Sequence, residues 1–184
     1  MSDPDIPTEQ KREADSEEAA VALTLDERTA QANRQIRDYT LGAMAIGLVP
    51  VPLLDLAALF SLELKLLHRL ARTFDIEFRA DAGRAAIGSL LSGSLSVAAA
   101  PAVATTLGKF IPGVGTAISA GSQLLLNGAL TYALGKVFLQ HFASGGTFLT
   151  FDPEIVRDYF TAQVEEGKRV ASELRARQQQ EKSG

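Results

Sequence analysis

The residues suited to chemistry are few, and Asp55 stands out first. It falls on the apolar side of a helical stretch, four and seven residues ahead of Leu59 and Leu62. A carboxylate so placed serves either as an intramembrane ion or proton site or as the cap of a helix that starts at Pro52. Glu63 follows eight residues later, about 12 Å along a helix axis, which is too far for a cooperating acid pair. Gln123 and Asn127 are four apart, so their amides share a helix face and either hydrogen-bond between helices or line a cavity or lumen. His68 sits among Lys65, Arg69 and Arg72 and reads as solvated; His141 closes a helix, where a cationic ring favours the dipole. Gly128 to Lys136 looks like a phosphate loop only at first sight. Six residues separate its glycines, Val137 follows the lysine and no strand precedes it.

Composition narrows the chemistry further. The 184 residues include no cysteine and two histidines, which excludes thiolate metal sites and cysteine nucleophiles and leaves little for zinc. No catalytic, cofactor-binding or metal-ligating set emerges, so a non-enzymatic protein without a cofactor is expected. The net charge of −4 argues against a nucleic-acid partner.

The elements that must carry these residues read as helices throughout. Thr24-Leu-Asp-Glu27 has capping-box spacing, so a helix should begin near Leu25. Pro50 and Pro52 break it, and a second helix covers 52–74. Asp81 is read as the N-cap of a third helix reaching about Ala100, with Pro101 kinking or restarting it and Phe110-Ile-Pro-Gly113 making the turn. A long helix from about Val114 ends before Gly145-Gly146, and Asp152-Pro153-Glu154 opens the last one. No run alternates as a strand does. The expected fold is all-α, with five or six helices.

Charge divides the chain unevenly. Residues 1–27 carry nine acidic and two basic groups, a net of −7, whereas the rest nets +3. The domain reading is therefore a disordered acidic leader over 1–22, one helical domain over 23–174 and a polar frayed tail over 175–184. The leader lacks the features of a signal peptide. Between Arg84 and Lys136 the one charge is Lys109, leaving uncharged runs of 24 and 26 residues. Each exceeds the roughly 20 residues that a helix needs to cross a bilayer. Both are rich in small residues and each holds a proline, Pro101 or Pro112. Gly113, Ala117 and Gly121 recur every four residues, as do Gly88, Ser92, Ser96 and Ala100, a spacing that lets helix backbones approach closely. The expectation is a small-residue-rich apolar hairpin over about 82–142, membrane-associated, or else the core of a soluble domain. Basic residues on both flanks place the termini in the cytoplasm and the turn outside. The apolar block 41–60 suits a re-entrant or interfacial segment.

Several of these motifs occur together in one family. Ala32-Asn-Arg-Gln-Ile-Arg37, Gly47-Leu-Val-Pro-Val-Pro-Leu-Leu-Asp55, Ile111-Pro-Gly-Val-Gly-Thr116, Thr131-Tyr-Ala-Leu-Gly135 and His141-Phe-Ala-Ser-Gly-Gly146 resemble the YcjF-like family, domain of unknown function 697, over about 28–160. The resemblance implies a bacterial, membrane-associated helical domain, often fused to or encoded near an Era-like GTPase domain. It supplies no catalytic residues, and this chain lacks the GTPase domain itself, so a nucleotide would come with a GTPase partner. Three functions are weighed: an inner-membrane anchor or adaptor contacting lipid, a pore or ion-conducting homo-oligomer with Gln123 and Asn127 facing its lumen, and a soluble helical interaction module in the cytoplasm.

Overall fold

The computed structural model describes residues 9–47, 54–92 and 116–183, and these are helices joined by turns and irregular connections. The helices are α1 (Glu9–Ile46), α2 (Leu54–Thr73), α3 over 80–92, α4 (Thr116–Ala143) and α5 (Arg157–Ser183). No strand occurs among the described residues. The all-α expectation holds at this level, with five helices.

Helix α4 is central. It carries no charge before Lys136, so it can be covered on every side. Leu124, Ala129, Ala133, Leu134, Val137 and Phe138 are all buried. It runs antiparallel to α1, as Lys136 Nζ donates to Asn33 Oδ1 at 3.0 Å while Leu124 lies beside Gly47. It is also antiparallel to α5 and parallel to α2. The α4–α5 contact is so close that a Cβ on Gly167 would come 2.7 Å from the Ala129 carbonyl oxygen. Only glycine lets the two backbones meet there. On α1 the buried stripe is Ala32, Ile36, Ala43 and Met44; on α2 it is Leu59, Leu66, Leu67 and Leu70. Each large aliphatic side chain so buried contributes about 1.5–3 kcal/mol against exposure.

Two helix ends stop by the same device. After α4, Gly145 (φ 79°) donates to the Phe142 carbonyl and Gly146 to that of His141, the paired bonds of a Schellman cap. After α2, Asp75 takes the left-handed conformation (φ 55°), with Asp75 N bonded to the Arg72 carbonyl and Ile76 N to that of Ala71. Aspartate is tolerated there better than most residues, and Arg28 Nη2 pairs with its carboxylate at 2.5 Å.

Several boundaries differ from those read in the sequence. Helix α1 starts at Glu9, ahead of the Thr24 capping box, because 9–23 are mostly strong helix formers such as Glu, Lys, Arg and Ala. Asp81 lies inside α3 rather than capping it, and pairs with Arg84 at 3.4 Å. Asp152 Oδ1 accepts from Glu154 N in a turn, and regular helix begins only at Arg157. At the other end α5 continues to Ser183, through the polar tail. Of the hairpin read over 82–142, residues 93–115 lie outside the described residues, and no helix among the described residues is long and apolar enough to cross a membrane. Its later part, from Leu124 to Phe142, is bundle core. Of the small-residue stripes, Gly88 meets no neighbouring atom and Gly113 lies outside the described residues; outside the stripes, Gly128 and Gly135 pack on Met44 and Ile36.

Candidate functional site

A buried polar seam runs between α2 and α4. Leu59, Leu66 and Leu70 put one face of α2 into the core, and Glu63 falls on that face, fully buried. From α4, Gln123, Asn127 and Thr131 recur every four residues and form a polar stripe on an otherwise apolar helix. Asn127 and Thr131 are buried. Gln123 Nε2 donates to Asn127 Oδ1 at 3.1 Å.

The rest of the seam is unpaired. Both carboxyl oxygens of Glu63, the Nδ2 of Asn127 and the hydroxyl of Thr131 have no hydrogen-bond partner among the described residues. Burial raises the Glu63 carboxyl from 4.5 to about 7; the Thr131 hydroxyl acts the other way, favouring the anion, without a well-formed bond. Glu63 is thus poised to exchange a proton near neutral pH. Thr40 on α1, also buried, is satisfied by its bond to the Ile36 carbonyl at 2.8 Å. Unpaired buried groups cost about 1–3 kcal/mol each, so four together mark a place where stability is forgone.

The residues singled out from the sequence distribute as follows. Pro50, Pro52, Pro112, Gly113 and Gly115 lie outside the described residues. Asp55 stands in the first turn of α2 and Gly121 in α4, but the side chain of Asp55 lies outside what is described. Gln123 and Asn127 do share a face, and Asn127 is turned toward α1 of the same chain: a Cβ on Gly47 would come 3.2 Å from its Nδ2. Lys136, the lysine of the rejected phosphate loop, is held by Asn33. His68 is not merely solvated, since its ring stacks on Phe78 with centroids 4.5 Å apart. His141 donates from Nε2 to the Thr147 carbonyl at 2.9 Å, tying α4 to the following loop.

Glu63 and Thr131 were not recognised as site residues from the sequence. The signal was present in the spacing: Glu63 interrupts the leucine stripe 59–66–70, and Thr131 extends the 123–127 pair by one more interval. Among the described residues no group of three or more His, Cys, Asp or Glu converges as a metal site would require.

Comparison with known proteins places this fold in a family. Residues 12–169 match the domain of unknown function DUF697, and the chain belongs to that family. It is 38% identical over 152 residues to magnetosome membrane protein 22 of Magnetospirillum gryphiswaldense, covering 83% of this chain and 78% of that protein. No solved structure matches.

Proposed function

We propose that the chain is a non-enzymatic bacterial membrane-associated helical protein, which meets lipid at one end of its bundle and engages a partner from the other. The observation that carries this reading is the similarity to a magnetosome membrane protein over 83% of the chain. The geometry adds direction. Helix α1 ends at Ile46, the next residue Gly47 lies against Leu124 near the start of α4, and α2 begins there because it runs antiparallel to α1. Helix α3 is antiparallel to α2, with Gly83 against Leu64 and Phe78 stacked on His68, so it too runs toward that end. The chain therefore enters and leaves both 48–53 and 93–115 at a single end, and these two segments contain one charge, Lys109. Because α4 from Leu124 onward is bundle core, the lipid-contacting part falls within 93–122 and 48–53, less than the whole hairpin.

In this reading the protein sits at the inner membrane with its termini in the cytoplasm and, like YcjF-like domains, acts beside an Era-like GTPase. Carbonate extraction of membranes tests it: the full chain should stay in the pellet, and recovery in the supernatant as a detergent-free soluble species would overturn it. A second reading, an ion-conducting oligomer, draws on the unpaired Glu63, Asn127 and Thr131. It is weaker, because Asn127 is covered by α1 of its own chain. Ion flux through reconstituted liposomes that is unchanged by Asn127→Leu would eliminate a lumen-facing Asn127.

A further inference from the structure

The end of the bundle remote from 48–53 carries a groove of about 870 Å³ between α1 and α2. Its α1 wall runs from Thr24 to Asp38, about 21 Å of helix. Its α2 wall presents Arg69 and Arg72, opposite Arg34. All three arginines are exposed, and none of their guanidiniums makes an ion pair or hydrogen bond among the described residues. Arg28, also in the lining, is neutralised by Asp75. Glu27 and Asp38 stand on the α1 wall, so the charge is directional: the α2 wall is the basic one. Three unpaired guanidiniums beside a groove of helical length suit an elongated acidic ligand.

The chain itself contains such a ligand. Residues 1–23 hold seven acidic and two basic groups, and over 9–23 they form the start of α1, about 22 Å long. Glu9, Glu13 and Glu17 recur every four residues, the spacing of one helix face. Since α1 is continuous from Glu9 to Ile46, this arm runs on past its own groove along the same axis and cannot fold back into it. We infer that the acidic N-terminal arm of one copy docks in the Arg34–Arg69–Arg72 groove of a second copy. The arm and the groove match in length and are opposite in charge, and the contact is an electrostatic self-association at the end of the bundle away from the lipid-facing segments. The inference does not depend on the membrane reading, because neither partner surface involves 48–53 or 93–122.

Light scattering on the full chain in a non-ionic detergent tests it. Wild type should associate at low salt and dissociate at about 0.5 M salt, where charges are screened within a few ångströms. Arg69→Glu/Arg72→Glu and Glu13→Arg/Glu17→Arg should each weaken association by roughly tenfold or more. Mixing the two variants should restore it, since each then offers a surface that matches the other; unchanged helical circular dichroism guards against misfolding. A wild type that is monomeric at low salt, or association unaffected by either double variant, overturns the proposal. So does a result in which the groove variant loses only its binding to phosphatidylglycerol vesicles, which would assign the groove to anionic lipid.

Discussion

The two halves of α4 are built on opposite terms. From Leu134 to Phe142 the helix enters an aromatic cluster: Phe138 lies 5.4 Å from Phe142, 5.8 Å from Phe148 and 4.5 Å from Phe151 by ring centroids, and Phe74 joins through Phe142 at 6.4 Å. The polar groups bordering it are satisfied, with His141 bonded to Thr147 and the helix end closed by Gly145 and Gly146. From Gln123 to Thr131 the same helix carries a row of polar side chains inward and leaves the Asn127 Nδ2 and the Thr131 hydroxyl without a partner among the described residues. One half maximises stability. The other gives some up next to the segments that are almost free of charge, which is where a protein with a job at that end would be expected to do so.

This contrast can be tested by substitution, beginning with the largest effect. Phe138→Ala, at the centre of the aromatic half, should cost about 4 kcal/mol in urea unfolding; a loss below about 1 kcal/mol would show that the cluster is not what holds that half. Next is the pH dependence set by Glu63. Its carboxyl is raised from 4.5 to about 7 in the folded chain, so the folded state binds the proton more tightly than the unfolded one. Stability should be highest at or below pH 4.5, fall as pH rises toward 7, and level off above it. The accumulated loss is about 3 kcal/mol from the shift at roughly 1.36 kcal/mol per pH unit. Glu63→Gln should flatten that slope; a wild-type profile with no decline between pH 5 and 7 would contradict the burial argument.

Smaller effects should separate the halves further. Asn127→Leu removes an unpaired buried donor but also the acceptor of Gln123 Nε2, so the two effects offset and the net change should stay within about 1 kcal/mol; a larger destabilisation would mean that the Nδ2 is bonded in solution to something else, such as water. Arg28→Ala breaks the pair with Asp75, whose side chain is 75% exposed, and should lower thermal stability by less than about 1 kcal/mol. If it costs more, Asp75 depends on Arg28 to hold its left-handed conformation.

The helical class was legible because its signals are local: charge-free runs, prolines and Gly145-Gly146 act within a turn or two. The family was legible from the order of its motifs. Helix limits were less so, since strong helix formers carried α1 back to Glu9 and α5 on to Ser183. The site was read only in part. Gln123 and Asn127 announce themselves as amides in an apolar run, but Glu63 stands among Leu62, Leu64 and Lys65, and its burial depends on which face of α2 meets α4. That is a non-local fact. The close glycine contacts are non-local in the same way: Gly47, Gly128, Gly135 and Gly167 each stand opposite a particular neighbour, whereas Gly88 faces open space.

The central place of α4 has a consequence for the order of assembly. Helix pairs α1–α2 and α4–α5 join neighbours along the chain and close quickly, but α1 meets α4 across about a hundred residues, as in the Asn33–Lys136 contact. During synthesis α1 and α2 emerge well before α4, and Glu63 waits in water as an ordinary carboxylate. The arrival of α4 then strips that water away and favours the protonated carboxyl, so the docking of α4 is coupled to proton uptake near neutral pH and should run faster in mild acid.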